Sequence, residues 1–90
     1  MRVARRYVIS GRVQGVGFRY FTQSVAMREG IAGWARNLPD GRVEIVGGAE
    51  PEALERFERQ IKQGPRGALV DRVEVSDAAL TPNETGFFIR

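Results

Sequence analysis

Ile31-Ala32-Gly33-Trp34-Ala35-Arg36-Asn37-Leu38-Pro39-Asp40-Gly41-Arg42-Val43-Glu44-Ile45-Val46-Gly47 is the stretch on which the fold turns. Its two halves read as strands, Ile31 to Leu38 and Arg42 to Gly47, with Val43 and Ile45 on one face. Pro39-Asp40-Gly41 between them is a turn signal, so the segment is a hairpin. A helical pattern lies on either side. Upstream, Phe18, Phe21 and Val25 recur at i, i+3 and i+7, and Gly30 stops the helix after about Glu29. Downstream, Pro51 stands near the first turn of a second helix whose apolar stripe is Leu54, Phe57 and Ile61. Glu52 with Arg56, Glu55 with Arg59 and Glu58 with Lys62 are spaced i, i+4 on its exposed sides and read as a solvated face.

Working outward, Val3 to Val13 reads as a first strand, with Tyr7, Ile9, Gly11 and Val13 on one face. Gly64-Pro65-Arg66-Gly67 is a loop, and Val70 to Ser76 a fourth strand with Val73 and Val75 inward. Thr81 to Gly86 is another loop, and Phe87 to Arg90 a short final strand. The order is β-α-β-β-α-β with a short extra C-terminal strand. This split βαβ pattern predicts an α+β sandwich, an antiparallel sheet with two helices on one face. Many functions use that architecture, so the order alone assigns none.

Ninety residues without a linker or repeat predict a single domain spanning residues 1–90. No apolar stretch approaches the roughly 20 residues of a membrane helix. The basic start, Met1 to Arg6, is not followed by an apolar run, so no signal peptide is expected and the expected location is the cytoplasm. There is no cysteine and no histidine. Disulfides, thiolate nucleophiles, Cys/His zinc sites and histidine bases are thereby excluded. A net charge of +3 favours anionic partners only weakly.

The chemistry is expected in Gly11-Arg12-Val13-Gln14-Gly15-Val16-Gly17-Phe18-Arg19, between the first strand and the first helix. Glycines let backbone N–H groups converge on one point. The helix adds its unpaired N-terminal N–H groups and the positive end of its dipole. Arg19 at the helix start can fork two phosphate oxygens. Gln14, Gly15, Val16, Gly17, Phe18 and Arg19 together make a candidate anion cradle. Two glycines alone serve equally well merely to turn the chain. No Lys-Ser/Thr pair follows, and Tyr20 stands where a dinucleotide loop needs its third glycine. Loops of this shape also occur in phosphatases with a cysteine six positions before the arginine; that position is Val13. Thr22 and Ser24 lie within the helix without an activating partner. A phosphatase built on this loop therefore needs direct attack by water and a leaving group that departs easily. A carboxylic-phosphoric anhydride meets that need, because a carboxylate leaves without a proton.

Asn37 ends the second strand. Its amide both donates and accepts, and so can hold a water in one orientation. Asparagine is also favoured simply beside a turn. Trp34 and Arg36 share a strand face and read as surface packing of a ring beside a charge.

Gly11 to Arg19, together with Gly33-Trp34-Ala35-Arg36-Asn37-Leu38-Pro39-Asp40-Gly41-Arg42-Val43, resembles the two signatures of the acylphosphatase family. Gly64-Pro65, Ala68, Val70, Val73 and the closing Phe87-Phe88-Ile89-Arg90 are similar to its C-terminal part, so the resemblance covers nearly the whole chain. It implies a ferredoxin-like fold and hydrolysis of acyl phosphates without metal, cofactor or covalent intermediate. It also implies that Arg19 is the catalytic arginine and Asn37 the water-positioning asparagine. Inorganic phosphate and sulfate are expected to compete with the substrate, and a monomer is expected. Some relatives carry a further aromatic residue after the position of Arg90, and others differ at Gly17; neither touches the two catalytic side chains. A similar module opens a large hydrogenase-maturation protein. No cysteine-rich zinc segment follows here, and the chain is read as the stand-alone enzyme.

Two rivals share the element order. An RNA-recognition module would carry aromatics on the third strand, and Arg42 to Gly47 has none. A regulatory domain would bind an anion without turning it over. Neither nucleic acid nor membrane is an expected partner.

Overall fold

The computed structural model describes residues 1–80 and 84–90. The elements are β1 (Val3–Arg12), α1 (Phe18–Glu29), β2 (Ala32–Asn37), β3 (Val43–Ala49), α2 (Pro51–Gln63), β4 (Leu69–Asp77) and β5 (Phe87–Ile89). The order predicted from periodicity is the order observed. Of the Thr81–Gly86 loop, residues 81–83 lie outside the described residues.

The five strands form one sheet in the order β4-β1-β3-β2-β5. Four of them pair antiparallel, as the split pattern demands. β5 instead runs parallel to β2, Gly33 facing Phe87 and Ala35 facing Ile89. Its direction follows from the register. Gly33 aligns with Gly47, Gly47 with Arg5 and Arg5 with Asp77, so β4 ends in the row where β5 begins. A strand starting there on the opposite edge must return in the direction of β2.

Both helices cover one face. Tyr7, Ile9, Ala35, Val43 and Ile45 of the sheet pack against Phe18, Val25, Leu54, Phe57 and Ile61. Each fully buried aliphatic or phenyl side chain there contributes about 1.5–3 kcal/mol. The three stripe residues of α2 are completely buried, as their spacing predicts. Phe57 meets the Tyr7 ring edge-on at 5.9 Å and the Phe87 ring at 6.2 Å. The buried Tyr7 hydroxyl has no hydrogen-bond partner among the described residues. Burial first, and the charge of Glu58 second, push its pKa up to about 12.

Two sequence expectations are corrected here. Val75 is 45% exposed, because β4 is an edge strand at the margin of the helical layer; Val73 packs against the core. On α2, Lys62 pairs with Glu58 at 3.3 Å, but Arg56 reaches across to Glu29 of α1 at 2.7 Å. Glu58 also approaches Arg5 of β1, so this side of α2 binds its neighbours as well as facing solvent.

The helix-free face has its own buried layer. Val8, Val46 and Glu44 are 2%, 5% and 5% exposed. Glu44 lies between Arg6 and Arg36, accepting from each Nε at 2.5 Å. The Arg36 guanidinium sits 5.5 Å from the centre of the Trp34 ring, the ring-beside-charge packing the sequence predicts, and the Arg90 guanidinium, which it does not predict, sits 4.5 Å from it.

Candidate active site

β1 delivers the chain to residues 13–17, and α1 carries it away. Gly15 and Gly17 adopt φ of 74° and 77°, left-handed conformations that a side chain would strain. A Cβ at either would meet nothing within 4 Å, so backbone conformation rather than space selects glycine. Gly17 also caps α1 without any side-chain bond, and the first turn holds no acidic residue. The N–H of Phe21 donates to the Gly17 carbonyl at 2.9 Å. The N–H groups of Gly15, Val16, Gly17, Phe18 and Arg19 precede that bond and have no protein acceptor among the described residues. They form a row of donors at the positive end of the helix dipole, the arrangement that binds an anion. Phe18 is 2% exposed and roots the start of the helix in the core.

Arg19 is half-buried beside this row. Its Nη1 donates to the backbone oxygen of Arg90 at 3.0 Å, and the Arg90 N–H donates to the Ala35 carbonyl at 2.9 Å. The end of β5 thus orients the guanidinium and ties it to β2. Asn37 ends β2 two residues after Ala35, which alternation places on the same, helix-covered face. The turn that follows closes without it. Leu38 N–H donates to the Arg42 carbonyl at 2.8 Å, Gly41 N–H to the Leu38 carbonyl at 3.2 Å, and Arg42 N–H to Asp40 Oδ1 at 3.1 Å. The Arg42 N–H first, and the Arg42 guanidinium beside it, lower the pKa of Asp40. The Asn37 amide takes part in none of them and is exposed.

Gln14 joins the two segments. Its Nε2 donates to the carbonyls of Leu38 at 2.8 Å and Arg42 at 2.9 Å. The structure thus brings the loop, Arg19 and the end of β2 into one region. Sequence reasoning missed the contribution of Arg90, which acts through its main chain and leaves no residue-type signal. Thr22 is completely buried and donates back to the Phe18 carbonyl at 2.8 Å, in keeping with its exclusion as a nucleophile. Among the described residues, no three acids stand close enough to share a metal ion. No helix among them is long and apolar enough to cross a membrane.

An acylphosphatase family model matches residues 5–89. The chain belongs to the acylphosphatase family. An acylphosphatase of Koribacter versatilis is 48% identical over 85 residues, covering 94% of this chain and 77% of the relative. One from Thermus thermophilus is 56% identical over 68 residues, covering 76% of this chain and 77% of that protein. Among solved structures, an acylphosphatase from Bacillus subtilis superposes with a TM-score of 0.92 at 38% identity, covering 100% of this chain and 99% of the other. Family and fold together support hydrolysis of acyl phosphates.

Proposed function

We propose that this acylphosphatase family member cleaves the carboxyl-phosphate bond by direct attack of a water placed by Asn37 on a phosphoryl group held by residues 14–19. The N–H groups of the loop and the Arg19 fork bind the phosphoryl oxygens and stabilise the charge that builds on them. The water oxygen forms the new bond to phosphorus. The carboxylate departs with the electron pair of the broken O–P bond, and both water protons remain on the product phosphate. No metal and no phosphorylated side chain take part, and the protein acts as a monomer. Inorganic phosphate and sulfate compete for the same donors.

The row of unpartnered N–H groups from Gly15 to Arg19 carries this reading, because it recognises a tetrahedral anion whatever the acyl group. Asn37 is the element to test. A water-positioning amide contributes mainly in the transition state. Asn37→Ala, assayed with benzoyl phosphate in excess EDTA, should lower kcat on the order of 10²-fold, with KM and the phosphate inhibition constant changed far less. An asparagine serving only the turn would instead lower the melting temperature and leave kcat of the folded fraction normal. Both quantities are to be measured on one preparation. A destabilised but fully active variant removes Asn37 from the mechanism.

A further inference from the structure

We infer that Gln14 is a positioning residue, whose side-chain amide sets Asn37 at a fixed distance from the phosphate loop. The inference rests on the water-positioning role of Asn37 proposed above. Gln14 immediately precedes Gly15, the first donor of the unpartnered row. Leu38 immediately follows Asn37, and Arg42 immediately precedes Val43, the residue paired with Asn37 across the hairpin. One amide therefore bridges the neighbour of the first phosphate donor to both strands beside the asparagine.

The chemistry of the amide excludes the simpler role of anion ligand. Its acceptors are two carbonyls, and only the NH₂ end of glutamine can meet both. Both hydrogens are engaged, at 2.8 and 2.9 Å. What remains is Oε1, an acceptor that phosphoryl oxygens repel. Gln14 can serve the anion only through its backbone N–H, while its side chain faces the hairpin.

The brace is also not what holds the hairpin closed. The Leu38 carbonyl keeps the Gly41 N–H, and the Arg42 carbonyl keeps the Leu38 N–H, when Gln14 is removed. Neither oxygen is orphaned, so the turn survives. What the brace determines is where the turn stands relative to the loop. An attacking water must lie in line with the departing carboxylate, and a displacement of about 1 Å can cost on the order of 10²-fold in rate.

A double-mutant cycle with Asn37→Ala tests this, with kcat on benzoyl phosphate as readout. Gln14→Met keeps the length of the side chain and removes both donors. It should lower kcat on the order of 10-fold, with the inorganic phosphate inhibition constant within about two-fold of the parent. In the Asn37→Ala background the same change should lower kcat by less than about two-fold, because the group it positions is gone. A full repeat of the loss in that background overturns the inference and leaves the role of Asn37 intact. If Asn37→Ala alone keeps its kcat, the proposed mechanism fails, and the inference with it. Should Gln14→Met not fold, Gln14→Asn keeps an amide too short to reach both carbonyls. It enters the same cycle, and additivity there overturns the inference equally.

Discussion

Lysine would keep the charge of Arg19 but not its planar fork, which separates geometry from electrostatics at one residue. Nη1 of Arg19 is held by the main-chain oxygen of Arg90, which fixes the plane in which the remaining N–H groups are offered. Arg19→Lys should therefore lose kcat/KM nearly as badly as Arg19→Ala, on the order of 10²-fold, and phosphate inhibition should weaken in both. Steady-state kinetics with phosphate as inhibitor check this; retention of most activity by the lysine variant would reduce Arg19 to a general positive charge. At this scale the sequence exposed whatever is local. Gly15, Gly17, Arg19 and Asn37 stand in two short segments whose residue types match a phosphate loop and a strand end. The Gln14 brace and the Arg90 latch were hidden, because each bond runs from a side chain to a distant main-chain oxygen. Every residue, proline included, offers a main-chain oxygen, so composition cannot mark the acceptor.

Among the elements, β3 shows where a period of two falls short. Its period puts Val43 and Ile45 on one face, which the structure shows to be the core face, and alternation turns Glu44 the other way. That face is covered too, by Arg6 and Arg36, and the Glu44 side chain is only 7% exposed. Burial by itself would raise the Glu44 pKa, but the hydrogen bonds and charges of the two arginines outweigh it, and the net shift is downward. A carboxylate whose pKa is depressed by folding stabilises the native state fully above its unfolded value, about 4.3, and loses that contribution as the pH falls below it. Glu44→Gln should cost about 2 kcal/mol at neutral pH and flatten the fall in stability on acidification. Thermal unfolding at pH 7 and at successive steps below pH 5 measures both effects; parallel curves for variant and parent would show that another acid controls the transition. The helices were easier to read, because a wide apolar stripe against a sheet has a single solution. The edge strand β4 was harder, since alternation says which way Val75 points and nothing about what lies above it.

Across the whole molecule, Phe57 is the joint. It is completely buried, and its ring meets both Tyr7 of β1 and Phe87 of β5, so it links the first strand, the second helix and the last strand. Phe57→Ala should cost about 3–5 kcal/mol, a large part of the roughly 5–15 kcal/mol available to a small domain. Urea unfolding checks this; a loss below about 1 kcal/mol would mean that the site collapses around the missing ring. The element order was legible from the sequence because each period is local. The parallel placement of β5 was not, since three residues carry no directional pattern and their register is set by the strands already laid down. The position of β1 has a consequence for the life of the chain. The strand made first lies between β3 and β4, with Val3 against Ala49 and Arg5 against Asp77. While the chain is emerging from the ribosome, β1 therefore gains its first partner only when β3 appears. Its other edge stays open until residues 69–77 have been made. Pairings so distant along the chain fold slowly. Until then the open edge is free to pair with a neighbouring nascent chain. The interval between synthesis of β1 and synthesis of β4 is thus when this protein is most exposed to misassembly, and rapid translation of that stretch would shorten it.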